Sequence, residues 1–149
     1  MKKLLLIALL CPLLTYGRGE CEVHYLSETE ESIQLSVVVS DTKKKDVVWS
    51  ACYEAIRALL FDGVKGSKRR SIPYVADEYG SRNVHEAYYH RLFDKAGYYQ
   101  FITDYAIVEK GKRKMPGKKI KYRVVDLNVN LKALKYSLTE HNIIRKFGV

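Results

Sequence analysis

Cysteine is scarce in this chain, with three among 149 residues, and that scarcity excludes a fold built on a framework of disulfides. Cys11 lies inside an apolar leader, so at most Cys21 and Cys52 can pair. The alternative is that Cys52 is a small buried hydrophobe, and its place on an apolar helix face favours this. A lipoprotein needs a small residue just before its lipidated cysteine; Leu10 and Glu20 hold those places. Long apolar runs are missing too. The longest, Leu4 to Leu14, holds one proline and is too short to cross a membrane. Acidic residues are few, 17 against 26 lysines and arginines, which leaves a net charge of +9. There is no internal repeat, no low-complexity tract and no serine in a Gly-x-Ser-x-Gly turn.

What is present begins with MKKLLLIALLCPLLTYG. A positive head (Lys2, Lys3), an apolar stretch and small residues near Gly17 have the build of a secretory signal peptide. Residues 1–17 are therefore expected to be removed, leaving a soluble periplasmic or secreted product rather than an anchored one. The remainder is one domain's worth of chain, and 47% apolar content argues against global disorder. The excess of positive charge suits acidic partners: nucleic acid, anionic lipid, lipopolysaccharide or acidic polysaccharide. Export makes nucleic acid the least natural of them.

Residues 18–31 are polar without a clear period and are expected to form a flexible extended arm. The single domain is expected over 32–149. Ser32 to Ser40 alternates, with Ile33, Leu35, Val37 and Val39 on one side, and predicts a half-buried strand. A helix from Lys45 to Phe61 is apolar nearly all round, so it belongs at the centre of the core. Gly63 and Gly66 stop it, and a loop with Lys65, Lys68, Arg69 and Arg70 follows. A second helix is expected over 83–96, capped by Asn83 and ended by Gly97. A strand over 98–109, a basic turn over 110–119 and a strand over 120–129 predict an antiparallel hairpin. The apolar phase switches between Ile120-Tyr122-Val124 and Val125-Leu127-Val129, which calls for a bulge or a change of buried face near Val124. Asn130 caps a last helix, Leu131 to about Glu140. The expected fold class is α+β, in the order β-α-α-β-β-α. It has a three-stranded, mainly antiparallel sheet with the helices packed on one face.

Two constellations compete for a role. His85-Glu86-Ala87-Tyr88-Tyr89-His90 resembles the zinc-protease helix signature, in the longer-spaced form of dipeptidyl peptidase III. Its histidines are five apart, so at about 100° per residue they point about 140° away from each other. They could share a metal only across a local π-bulge, and no third ligand is patterned. His85, Glu86 and His90 thus define a metal-dependent hydrolase as an alternative, with no cofactor expected under the main reading. Cys52, within a fully apolar helix, does not fit an activated nucleophile. Gly63-Val64-Lys65-Gly66-Ser67-Lys68 lacks the spacing of a phosphate loop and follows a helix instead of opening one. The second constellation is basic. One cluster holds Lys68, Arg69 and Arg70. The other holds Lys112, Arg113, Lys114, Lys118 and Lys119 in the hairpin, flanked by Lys110, Lys121 and Arg123 and interleaved with tyrosines. Basic and aromatic groups together bind anionic polymers by charge and stacking.

The stretch from Ala51 to Gly66, an alanine-rich helix followed by Phe61-Asp62-Gly63-Val64-Lys65-Gly66, resembles a segment of small uncharacterised exported proteins of Bacteroidetes-type bacteria. More distantly, strand plus alanine-rich helix is similar to the N-terminal domain of flagellar assembly protein T and related envelope lipoproteins. The resemblance implies an envelope domain with no assigned catalytic residue. The expected role is therefore non-enzymatic binding of an envelope protein or an acidic surface polymer. The hydrolase, and polyanion binding through the 110–123 hairpin, stand as alternatives.

Overall fold

A computed structural model describes residues 20–145, so the leader at 1–17 lies outside the described residues. Four strands form one antiparallel sheet in the order β1-β2-β4-β3. They are β1 (Cys21–Glu28), β2 (Ser32–Ser40), β3 (Ile102–Met115) and β4 (Lys118–Asn130). The fold is α+β as expected, but the sheet has four strands instead of three, because most of the supposed arm pairs with β2. Cys21, Val23 and Tyr25 turn inward against the core, opposite Val39, Val37 and Leu35. Polar neighbours mask this alternation, and a register shift between Tyr25 and Ser27 interrupts it.

Ile33, Leu35, Val37 and Val39 of β2 and Val125, Leu127 and Val129 of β4 are buried on one face. Above them lies α1 (Val47–Arg57), led in by a 3₁₀ turn and continued by a π-helical turn, Ala58–Asp62. It touches all four strands, which explains its nearly complete apolar surface. Gly63 ends it at φ 79°, where a Cβ would strike the Ser71 carbonyl.

The second helix is not the continuous one expected over 83–96. Asp77 caps an earlier helix, α2 (Glu78–Val84), by accepting from the Gly80 N–H at 3.0 Å. The chain breaks at His85 (φ −117°, ψ 40°) and resumes as α3 (Glu86–Tyr89) and a π turn, His90–Asp94. Asn83 therefore sits inside α2 rather than at its cap. The strand expected from Tyr98 also starts later, because Gly97–Phe101 forms a 3₁₀ turn. Tyr98 and Phe101, three apart, are both buried, which matches the period of that helix. The last helix, α4 (Leu131–Glu140), begins as expected: Asn130 Oδ1 accepts from the Ala133 N–H at 3.0 Å, and Leu131, Leu134 and Leu138 are buried.

Candidate polyanion-binding ribbon

β3 and β4 outrun their neighbours. β2 pairs with β4 only as far as Ser40–Tyr122, whereas β3 and β4 remain paired to Met115–Lys118. Four residues of each strand thus project as a two-stranded ribbon, about 13 Å long. A Pro116-Gly117 turn closes it. Proline presets its own φ, and Gly117 takes φ 83° with nothing within 4 Å of its Cβ position.

The phase switch near Val124-Val125 is a change of face: Ile120, Tyr122 and Val124 lie on the side away from buried Val125, Leu127 and Val129. β4 runs regularly along β2, and β3 carries the extra residue: Ile107 faces Val125, Glu109 faces Val124, and Val108 is bulged out. This single residue sorts the charges of the ribbon. Beyond it Lys110 faces Arg123, Lys112 faces Lys121 and Lys114 faces Lys119. Pleat alternation places all six on the side of the sheet that carries the helices, since Arg123 stands beside buried Val39. Regular pairing past Ile107 would have set Lys110 opposite Tyr122 and split the six between two faces.

The result is a ladder of three cation pairs. Partners in a rung are about 5 Å apart at Cα, and rungs follow at about 6.6 Å. All lie within one Debye length of a neighbour, roughly 8 Å at physiological ionic strength. Like charges directly opposite are destabilising, by about a few tenths of a kcal/mol per pair. Among the described residues, none of the six has an acidic side chain within ion-pair distance.

The opposite face is built differently. The Tyr122 ring covers Gly111, where a Cβ would lie 2.5 Å from it. Its hydroxyl donates to Glu109 Oε1 at 3.1 Å, and Arg113 lies over the ring at 5.2 Å. The Glu109 carboxylate raises the Tyr122 phenol above its usual range. Of the expected hairpin residues, Lys112, Lys114 and Lys119 therefore belong to the ladder, whereas Arg113 and Lys118 fall on the other face. Lys110, Lys121 and Arg123 complete the ladder. Composition marked them as basic, but the bulge assigns the side of Lys110 and the regular pairing of β4 with β2 that of Lys121 and Arg123.

The loop cluster does not join this surface. Lys68, Arg69 and Arg70 lie by Glu28, which pairs with Ile33 at the far end of the sheet. Ser67 Oγ and the Lys68 N–H donate to the Glu28 carboxylate at 2.6 and 2.8 Å. These bonds, the Ser67 hydroxyl first, hold the Glu28 carboxyl below its usual range. Arg69 is 3.6 Å from Glu30, and Arg70 lies over the Tyr74 ring at 3.9 Å. This cluster ties the loop to the β1–β2 turn.

His85 and His90 are not brought together. The first stands in the break between α2 and α3. The second is 2.8 Å from Asp94 through Nδ1. The π turn begins at His90, after the pair rather than between its members, so it does not restore their phase. Among the described residues no three His, Cys, Asp or Glu side chains converge on a metal position. Glu86 lines a shallow cleft with His90 and Asp94. Cys52 is a buried thiol, not joined to Cys21, and burial pushes it up to about 11.

Among the described residues no helix is long and apolar enough to cross a membrane. Comparison of the chain with known protein families, characterised proteins and solved structures gives no match.

Proposed function

We propose that this protein is a non-catalytic binding domain that holds an acidic polymer of the cell envelope on the basic face of the β3–β4 ribbon. One observation carries the reading: three cation pairs directly opposite one another, two on the projecting ribbon and the third at its base, with no acidic side chain to compensate them among the described residues. A fold that accepts this repulsion gains it back when an external anion fills the ladder. The leader at 1–17, and the resemblance to exported envelope proteins, support an extracytoplasmic polymer as the ligand.

The test is binding of heparin and of inorganic polyphosphate across a salt series. Six contacts on a single-stranded polyanion predict a slope of log K against log salt of roughly −4. Replacing Lys112, Lys114, Lys119 and Lys121 with glutamine flattens the slope and weakens binding. Replacing Arg113 and Lys118, on the opposite face, leaves both nearly unchanged. Equal losses from the two faces would sink the reading.

A further inference from the structure

The ladder does not end at the base of the ribbon. Going down β3 on the same face, Lys110 gives way to Ile107 and Tyr105, the latter 52% exposed. Ile107 faces Val125 and Tyr105 faces Leu127, which puts both on the helix-bearing side of the sheet. Tyr99 and Trp49, each 40% exposed, line one cleft of about 740 Å³. Both are braced from beneath. Trp49 stacks on Tyr53 at 5.4 Å, and Tyr99 rests against fully buried Tyr98 at 4.8 Å. An exposed ring on a rigid base loses little freedom when something stacks on it.

The cleft adjoins the ribbon. Asp41, on its wall, donates its N–H to the Lys121 carbonyl at 2.9 Å, where β4 leaves the sheet. The remaining wall is mixed: Lys43 and Lys45 supply positive charge, while Asp41, Asp46 and Glu54, with Thr42 and Ser50, supply acceptors. Aromatic faces beside carboxylates and hydroxyls, opening onto a cationic ladder, make a surface with two chemistries.

We infer that the polymer is an acidic polysaccharide, with uncharged sugar rings stacked on Trp49 and Tyr99 in the cleft and on Tyr105 along the same side of the sheet, and anionic groups on the ladder; this rests on the polyanion reading above. A pyranose ring offers an apolar C–H face to an aromatic ring and hydroxyl donors to Asp41 and Asp46. Its acidic groups can fall on other units of the chain. A nucleic-acid strand carries a phosphate on every unit. Seating its bases on these rings would bring phosphates against Asp41 and Asp46, so it fits the cleft less well.

Trp49 is the sole tryptophan, so intrinsic emission reports the cleft directly. The experiment compares hyaluronate, whose neutral N-acetylglucosamine rings alternate with glucuronate, with inorganic polyphosphate and oligo-deoxythymidine on the full chain. Hyaluronate is expected to shift or quench Trp49 emission, whereas polyphosphate, which has no rings, binds without doing so. Tyr99→Ala weakens hyaluronate about tenfold, the loss of one stacked ring, and leaves polyphosphate unchanged. Because Tyr99 also covers Tyr98, Tyr105→Ser at an open position is the second variant, with the same expected selectivity. If both variants leave hyaluronate binding unchanged, or if oligo-deoxythymidine binds more tightly and quenches Trp49 more strongly, the polysaccharide assignment is overturned while the ribbon reading stands. If none of the three polymers binds, both fall.

Discussion

Tyr122 lies across the ribbon directly over Gly111, and the ring occupies the space that a side chain at 111 would need. The pair shows why a glycine is tolerated in the middle of β3. An unfilled position in a strand is normally a weakness, and here a cross-strand aromatic covers it.

Gly111→Ala should therefore displace the ring, separating Tyr122 from Glu109 and from Arg113. The cost is modest, about 0.5–1 kcal/mol, because the ring is at the free end of a side chain on an open face. In the native protein the Gly111 α-protons should be shifted upfield by the ring current. Alpha-protons at ordinary positions would show that the ring does not sit there.

The same ring offers a pH readout. Its hydroxyl donates to the Glu109 carboxylate, which disfavours the phenolate and raises the midpoint. Glu109→Gln removes the charge, so the Tyr122 titration followed by carbon NMR of the tyrosine ring should move down toward the usual range. An unchanged or rising midpoint would contradict the hydrogen bond.

Glu28 makes the opposite case. Its carboxyl is held low by the Ser67 hydroxyl first, and by the backbone of the 67–70 loop. A depressed carboxylate contributes stability that is complete above its unfolded value, about 4.3, and is lost as pH falls through the lower folded value. The Lys68 amide resonance should titrate with a midpoint below that of an unperturbed glutamate. Glu28→Gln should lower stability by about 1 kcal/mol in urea denaturation and abolish that titration.

Cys52 should behave as an inert thiol. With its midpoint near 11, almost no thiolate exists at neutral pH, and the side chain is fully buried. Labelling by a maleimide at pH 7, read at Cys52 by mass spectrometry, should be negligible in the folded protein and rapid in urea. Fast native labelling would reopen the nucleophile question.

The parts of the fold that were legible in the sequence are those where one physical signal acts alone. Strict alternation in β2, the all-round apolar surface of α1 and the Asn130 cap of α4 each specify their element without help from elsewhere. β1 was illegible because its inward positions, Cys21, Val23 and Tyr25, are only three and the register shift breaks their rhythm. The helix around His85 was misplaced because Asp77 caps it earlier than Asn83 could, and a break and a π turn interrupt the 3.6 period. For the candidate site, the basic composition of the hairpin was plain, but its sidedness was not. Side depends on where Val108 is extruded, and extrusion is decided between strands. The phase conflict in β4 marks a change of face within a regular strand and does not show where β3 bulges. Trp49 lies within the all-round apolar helix expected at the centre of the core, yet it is partly exposed.

Among the described residues, the strands of the projecting end beyond Lys121 pair only with each other. Its rungs repel, so it opens at low cost. On the proposed binding, an anion that neutralises the ladder removes that repulsion and firms the tip against itself. Part of the attraction goes into that ordering, which lowers the net affinity but couples grip to contact, as in a clasp that tightens when it is filled.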